Sequence, residues 1–379
     1  MLFFSLFSFF SSPSSLFRTF TSSHTLGTYL YLLHFLFLPH HHLPPLPLFP
    51  LSSLIITLLL SGYVVSGEDV EAVRLAEKVR VLCWVMTQPE THQKKAVHVK
   101  ATWGKRCNKL IFMSSQNDTS LGAIDLDVGE GYNLLWGKTK AAFKYIYDHY
   151  LDDYEWVFKA DDDTYTIMEN MRYMLSAYDP DYPIYFGSRF KKFSKQGYMS
   201  GGGGYVLSRE AVTQFVEVAL PNKTLCKRDN TGAEDAEMGK CLDKIGVLAG
   251  DSRDSLGRGR FFPFTPVTHL FNQVPSWYLD YVYYKPDTGL TCCSDTAITF
   301  HYMDINKMYE MEYLLYHLRP YGIQRHDPIP APLPPDLNSI PRQVSPLLSL
   351  PHWSYTSMRL YPTLSSSSKP KKKSRKIIK

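Results

Sequence analysis

The stretch Trp156-Val157-Phe158-Lys159-Ala160-Asp161-Asp162-Asp163 decides the fold class, because a mainly apolar run ends here in three consecutive acids. A short apolar run of this kind is typical of a buried strand. Side chains alternate along an extended backbone, so Asp161 and Asp163 are expected to point the same way. Two carboxylates on one side favour binding of Mn²⁺ or Mg²⁺. A bare acidic triplet is also typical of a solvated helix start, where the helix dipole favours acids.

Outward from this stretch, predicted strands alternate with predicted helices. The strands cover residues 79–87, 109–115, 156–160 and 183–189. The helices cover residues 93–103, 134–151, 167–178, 209–220, 234–245 and 308–318. This alternation predicts an α/β fold with a mostly parallel sheet and helices on both faces. Ligands of such sheets bind beyond the carboxyl ends of the strands, which is where the acidic triplet falls.

The first 66 residues are strongly apolar and contain one formal charge, Arg18. Two apolar stretches, Leu26 to Leu38 and Leu51 to Val65, flank a segment rich in Pro and His. Each is shorter than the roughly 20 residues that a helical membrane span needs. We predict a signal-anchor of a type II membrane protein within residues 1–66. A cleaved signal peptide and a wrongly assigned start of the reading frame are the alternatives.

The charge of the chain is concentrated at its carboxyl end. The net charge is +5, and Lys369 to Lys379 carries seven positive charges, so the remaining residues sum to −2. The folded part is therefore not a basic nucleic-acid binder. Composition divides the chain into four parts: residues 1–66 with the anchor, a short stem at 67–78, a folded domain at 79–326, and a disordered Pro/Ser-rich and basic tail at 327–379.

Cysteine usage indicates an oxidising compartment. The six cysteines, an even number, all follow the apolar segment, and none forms a Cys-x-x-Cys pair. Up to three disulfides are expected in a lumenal chain, and a zinc site is not. The glycosylation triplets that begin at Asn117 and Asn222 agree with a secretory compartment.

Eight motifs in order resemble the core 1 β1,3-galactosyltransferases of the β3-glycosyltransferase family. They lie at residues 81–87, 159–165, 185–187, 197–202, 250–254, 292–295, 300–302 and 316–322. The resemblance covers about residues 79 to 323. It implies a single GT-A-like, Rossmann-like catalytic domain. It also implies inverting, metal-dependent transfer of galactose from UDP-galactose to O3 of GalNAc-α-Ser/Thr on glycoproteins.

The same resemblance assigns a metal site and a base. Asp161 and Asp163 are similar to the family's metal-proximal pair, and His301 to its third metal ligand. An imidazole ligand suits Mn²⁺ better than Mg²⁺. Asp235 resembles the catalytic base, which takes the proton of the acceptor hydroxyl. Without the family context, His301 reads as a satisfied core histidine, and Glu234-Asp235 as an acid pair at a helix start.

Further positions are implied to contact the donor or the acceptor. These positions are Met86, Glu130, Gly131, Lys138, Asp161, Gly202, Trp277 and Tyr302. Gly202 belongs to a glycine run that otherwise reads as a hairpin turn, and Trp277 is nearly as typical of core packing. The chain departs from the family pattern at Tyr132 and Asn133, which replace an Arg and an Asp. The change removes a cation near the expected diphosphate.

The resemblance also pairs the cysteines and places the protein in the cell. It pairs Cys83 with Cys107, Cys226 with Cys241, and the adjacent Cys292 with Cys293. It implies a Golgi membrane protein with a lumenal catalytic domain, suggests a homodimer, and leaves open a dedicated chaperone. The alternatives are a fringe-like β1,3-glycosyltransferase, a non-catalytic chaperone-like homologue, whose relatives lack the acidic triplet, and an inactive product of a misassembled gene.

Overall fold

The computed structural model describes residues 69–320 and Leu333. Twelve strands are present in this part of the chain: β1 Val81–Met86, β2 Lys109–Ser114, β3 Ala123–Asp125, β4 Trp156–Asp161, β5 Tyr165–Thr166, β6 Ile184–Gly187, β7 Arg189–Phe190, β8 Tyr198–Met199, β9 Tyr205–Ser208, β10 Leu248–Ala249, β11 Phe261–Phe262 and β12 Thr299–Phe300. The nine α-helices are α1 Asp69–Lys78, α2 Val97–Ala101, α3 Leu135–Tyr150, α4 Met168–Leu175, α5 Arg209–Gln214, α6 Glu234–Lys244, α7 Pro266–Leu270, α8 Ser276–Tyr281 and α9 Ile305–Tyr316. Single π turns, His92–Ala96 and Phe215–Ala219, precede α2 and follow α5.

The central sheet has seven strands in the order β10-β6-β9-β4-β1-β2-β3. Six strands run in one direction, and β9 runs antiparallel to both of its neighbours. The predicted mostly parallel α/β sheet is therefore confirmed. Strand β9 was not predicted, because the glycine run before it reads as a turn and its four residues are too short for a clear pattern.

Strand β1 shows why both faces of the sheet need helices. Val81, Cys83 and Val85 point into one apolar cluster, which contains residues of α2 and α4. Leu82, Trp84 and Met86 alternate with them and point into a second cluster, built from α3 and α5. Alternating side chains point to opposite faces of a strand, so a strand buried on both faces reads as a continuous apolar run.

A second, smaller sheet has three strands in the order β11-β12-β5. Phe300 of β12 pairs antiparallel with Tyr165 of β5, which follows the acidic triplet. This pairing brings the residue after β12 against the carboxyl end of β4. The region 246–286, which is rich in Gly, Pro and aromatic residues, contains the short helices α7 and α8.

No helix among residues 69–320 is both long and apolar enough to cross a membrane. The expected anchor segments Leu26 to Leu38 and Leu51 to Val65, and the tail from residue 327 except Leu333, lie outside the described residues.

Candidate active site

A cavity of about 660 Å³ opens at the carboxyl ends of β1 and β4. Most of the residues expected at the site line it: Met86, Glu130, Lys138, Asp161, Asp163, Gly202, Asp235, Trp277, His301 and Tyr302. Gly131 is not among the lining residues and lies between two that are, Glu130 and Tyr132. The position agrees with the rule that ligands of α/β sheets bind beyond the strand ends.

Asp161, Asp163 and His301 form a cluster suited to a metal ion. One ligand atom from each lies within 4.8 Å of the others. His301 Nε2 is 3.0 Å from Asp163 Oδ1 and 3.7 Å from Asp161 Oδ2. Two carboxylate oxygens and one imidazole nitrogen fit a divalent ion such as Mn²⁺. The residues present therefore fit the metal that the resemblance implies.

Gly202 lets the imidazole of His301 reach this cluster. A Cβ atom at Gly202 would lie 2.3 Å from Nδ1 and Cε1 of His301. The carbonyl of Gly202 accepts a hydrogen bond from Thr164 Oγ1 at 3.0 Å. Gly202 therefore packs directly against a metal-ligating candidate.

Because β4 ends at Asp161, the expected alternation along a strand does not extend to Asp163. Asp162 lies in the turn that follows β4 and contacts the segment after β1. Its Oδ2 accepts hydrogen bonds from Thr87 Oγ1 at 2.9 Å and Thr91 Oγ1 at 2.6 Å. Burial raises the pKa of the Asp162 carboxyl above its usual range, although the two threonines and Lys95 act in the opposite direction. Asp162 thus ties the end of β4 to the segment after β1.

Lys95 is a site residue that sequence reasoning missed. Its Nζ lies 3.0 Å from Asp163 Oδ2 and 3.5 Å from Asp162 Oδ1. Burial alone would raise the pKa of Asp163, but hydrogen bonds and charge from His301 and Lys95 lower it to about 2. Lys94 and Lys95 are adjacent in the sequence, and nothing in their spacing shows which one faces the acids.

Asp235 lies in the first turn of α6 and faces the cavity. Its Oδ2 accepts a hydrogen bond from the Gly201 N–H at 3.0 Å, and its Oδ1 accepts one from the Ala236 N–H at 2.8 Å. Burial raises the pKa of Asp235, while these two hydrogen bonds and Lys159 act to lower it. A carboxylate with a raised pKa is a stronger base for a hydroxyl proton.

Glu234 and Lys159 form a buried pair beside Asp235. The sequence showed Glu234 only as part of an acid pair at a helix start and gave Lys159 no role. Glu234 Oε2 lies 3.8 Å from Lys159 Nζ, and its Oε1 accepts a hydrogen bond from the Tyr205 hydroxyl. Burial raises the pKa of Glu234 to about 7, against the opposing charge of Lys159. A lysine inside a predicted apolar strand gave no signal of a partner.

Glu130 and Lys138 contact each other at the side of the cavity near the end of β1. The buried Nζ of Lys138 donates to both Glu130 carboxylate oxygens at 3.0 Å and to the carbonyl of Thr87 at 2.6 Å. Lys138 therefore fixes the loop carrying Glu130 against β1. Tyr132, one of the two departures from the family pattern, is 79% exposed at the cavity.

Aromatic side chains also line the cavity. Trp277 is 46% exposed and Tyr302 is 56% exposed, and both line the cavity. The ring of Tyr302 lies 4.1 Å from that of His301, at a residue whose φ is 56°. Tyr278 is buried against Phe264. Of the two roles considered for this segment, acceptor contact and core packing, the structure places Trp277 at the cavity and Tyr278 in the core.

All three expected disulfides are present. Cys83 is bonded to Cys107, Cys226 to Cys241, and Cys292 to Cys293. The bond from Cys226 reaches α6, the helix that carries Asp235. The predicted cysteine pairing is confirmed.

Comparison with known proteins identifies relatives of this chain. Residues 76–252 match the Fringe-like family. Glycoprotein-N-acetylgalactosamine 3-beta-galactosyltransferase 1 of Xenopus laevis is 50% identical over 272 residues, which cover 70% of this chain and 74% of that protein. The mouse beta-1,3-glucosyltransferase is 28% identical over 174 residues, which cover 45% of this chain and 35% of that protein.

A solved galactosyltransferase, crystallised with donor and acceptor sugar analogues, aligns with a TM-score of 0.39 and 12% identity, covering 63% of this chain and 97% of its own. Family membership rests on the Xenopus relative, whose identity extends over most of both chains. On that evidence, the chain belongs to the family of glycoprotein-N-acetylgalactosamine 3-beta-galactosyltransferases.

Proposed function

We propose that this protein transfers galactose from UDP-galactose to O3 of N-acetylgalactosamine linked to Ser or Thr of glycoproteins, with inversion. The observation that carries the proposal is one cavity lined by both the cluster of Asp161, Asp163 and His301 and the buried carboxylate of Asp235. Membership of the galactosyltransferase family supports the sugar and the acceptor. We further propose that the domain is GT-A-like.

Asp235 is the proposed general base. It takes the proton of the acceptor hydroxyl while the hydroxyl oxygen bonds to the anomeric carbon of galactose and the bond to the UDP oxygen breaks. The N–H groups of Gly201 and Ala236 hold its two oxygens, which fixes the carboxylate for this step. A single displacement inverts the anomeric carbon and needs no second carboxylate as nucleophile.

Asp161, Asp163 and His301 would hold the metal, and we propose Mn²⁺ because an imidazole ligand suits it better than Mg²⁺. A divalent ion held by these residues would neutralise charge on the leaving diphosphate. Lys95, beside Asp163, places a further cation at the same end of the cavity. Lys95 would replace the arginine that the family pattern has at the position of Tyr132.

The remaining wall residues are assigned to substrate binding. Met86, Glu130 and Lys138 lie on the side proposed for the donor nucleotide, and Gly131 shapes the loop between them. Trp277 and Tyr302 expose aromatic faces on the side proposed for the acceptor. Sugars present apolar faces that stack on such rings.

The test is galactose transfer to benzyl-α-GalNAc by the purified full-length protein, with Mn²⁺, with Mg²⁺ and with EDTA. Asp235→Asn keeps the shape of the side chain and removes the base, so kcat is expected to fall by about 100- to 10,000-fold. Glu237→Gln is the matched control on the same helix, since Glu237 pairs with Lys240 and is not among the cavity-lining residues. Transfer of GlcNAc in place of galactose would favour the fringe-like alternative. A folded protein inactive with every UDP-sugar would favour the chaperone-like one.

We also propose a Golgi membrane protein of type II topology with this domain in the lumen. Three disulfides support an oxidising compartment. The two asparagines of the glycosylation triplets, Asn117 and Asn222, are exposed. Immunofluorescence against a Golgi marker, with and without selective permeabilisation of the plasma membrane, tests the location and the orientation.

A further inference from the structure

Lys159 is a buried lysine at the centre of the site. Its side chain is 2% exposed. Its Nζ donates to Asp161 Oδ1 at 2.6 Å and to the carbonyl of Gly201 at 3.1 Å, and lies 3.8 Å from Glu234 Oε2. A buried ammonium group is costly unless it is paired and hydrogen-bonded, and here three oxygens surround it.

Because of the contact with Lys159, the two carboxylate oxygens of Asp161 have different partners. Oδ1 is bonded to Lys159, whereas Oδ2 faces His301 Nε2 at 3.7 Å. Only one oxygen of Asp161 is therefore presented to the candidate metal position. Groups that hydrogen-bond a metal ligand in this way fix its orientation, and losing such a group typically lowers metal affinity or activity.

The contact with Gly201 reaches the candidate base. The carbonyl of Gly201 accepts from Lys159, and the N–H of the same residue donates to Asp235 Oδ2 at 3.0 Å. A Cβ atom at Gly201 would lie 2.7 Å from Glu234 Oε2, so this backbone lies directly against the acid pair. Lys159 thus contacts the metal carboxylate on one side and the backbone that holds the base on the other.

Glu234 completes the arrangement by balancing the charge of Lys159. It is itself held by the Tyr205 hydroxyl, and Tyr205 is the cross-strand partner of Lys159. Both residues of the ion pair are therefore fixed by the central sheet rather than by a surface loop.

We propose that Lys159 is a positioning residue that orients Asp161 toward the metal and, through Gly201, aligns Asp235 with it. The inference rests on the proposed function. It differs from a purely structural role, in which Lys159 would serve only to neutralise Glu234.

The decisive variant is the double replacement Lys159→Met with Glu234→Gln. At about pH 8, above the pKa of Glu234, removing one charge of each sign keeps the net charge of the site, so any change in Mn²⁺ affinity reports orientation rather than charge. We expect the dissociation constant for Mn²⁺, measured by calorimetry without substrate, to rise by about 10- to 100-fold. We also expect kcat to fall more than KM for the acceptor changes. Lys159→Gln with Glu234→Gln, a more polar replacement of equal charge, repeats the test should the first pair not fold.

Arg172→Met is the matched control for loss of a buried cation. Arg172 is a core residue that bonds the carbonyls of Val79 and Arg106. This variant is expected to lower the melting temperature but to leave Mn²⁺ affinity and kcat within about twofold of wild type, since metal affinity follows the ligands and their direct partners. A folded double variant with wild-type Mn²⁺ affinity and kcat would overturn the proposal. A wild type that binds Mn²⁺ but transfers no galactose would overturn the proposed function instead, and the Mn²⁺ comparison would still test Lys159.

Discussion

At the scale of single residues, the geometry of the site depends on the absence of a side chain at Gly202. Gly202 lies against the ring of His301, where a Cβ would come within 2.3 Å. Glycine is required at this position for space rather than for its backbone conformation, because the φ of Gly202 does not lie in the left-handed region. The glycine run thus admits the third metal-ligating candidate to the carboxylates at the end of β4.

Gly202→Ala is expected to displace the His301 ring. Losing the geometry of one of three ligands should weaken Mn²⁺ binding by about 10-fold or more, with a parallel loss of galactose transfer. Gly203→Ala is the control, because a Cβ there meets its nearest neighbour, Ser188 Cβ, at 3.2 Å and can be accommodated by a small shift. Equal Mn²⁺ affinities for the two variants, measured by calorimetry, would contradict this account.

The buried carboxyl of Glu234 makes the stability of the folded protein depend on pH. Its pKa rises from 4.5 to about 7 in the folded protein, mainly through burial. The folded state therefore keeps a proton that the unfolded state has lost between pH 4.5 and 7, and the contribution of Glu234 to stability falls as pH rises through that window. The change amounts to at most about 3 kcal/mol.

Urea unfolding of wild type and Glu234→Gln at pH 5 and pH 7 measures this effect. Glutamine does not titrate, so the difference in unfolding free energy between the two proteins should shift with pH in favour of the variant at pH 7. The subtraction cancels the titration of other carboxylates. A difference that is the same at both pH values would show that Glu234 titrates normally.

At the scale of elements, the sequence predicted the strands and helices whose apolar pattern is long, or continuous because both faces are buried. Strand β1 is apolar throughout because both of its faces are covered, and α3 carries its apolar residues at helical spacing. Two-residue strands such as β5 and β12 have no measurable period, so their pairing could not be predicted. That pairing is what places His301 beside Asp163, and only the family resemblance anticipated it.

The antiparallel strand β9 likewise determines contacts inside the site that could not be predicted from the sequence. It pairs Tyr205 with Lys159, and this register sets the glycine run beside the end of β4. A lysine within an apolar strand shows its role only when the strand next to it is known. Sequence patterns are local, whereas two of the three partners of Lys159, Gly201 and Glu234, come from distant segments of the chain.

The disulfide at α6 leads to a prediction about an element. The bond between Cys226 and Cys241 spans 15 residues of sequence and anchors the helix that carries Asp235. Replacing both with Ser should lower the unfolding free energy by about 3 kcal/mol. Transfer should fall more than Mn²⁺ affinity, because the metal-ligating candidates do not lie on α6. Cys292→Ser with Cys293→Ser is the control, since adjacent residues close almost no loop. Equal denaturant midpoints for the two pairs would refute the loop argument.

At the scale of the whole molecule, two features of the described domain support the proposed lumenal location. Its six cysteines are all paired. Asn117 and Asn222 are exposed and are not among the residues that line the cavity. Glycans at these positions would leave the proposed site open.

The last prediction is that the protein expressed in animal cells carries N-linked glycans at both positions. Endoglycosidase treatment should reduce its apparent mass, and Thr119→Ala or Thr224→Ala should each remove one glycan, because the acceptor triplet requires the hydroxyl residue. Thr119→Ala leaves the hydrogen bond from the Asp125 N–H to Asn117 Oδ1 in place, so the local fold is kept. Glycosylation occurs only in the lumen. A single unglycosylated band, together with digestion of this domain by protease added to intact microsomes, would therefore place the domain on the cytosolic side and refute the proposed topology.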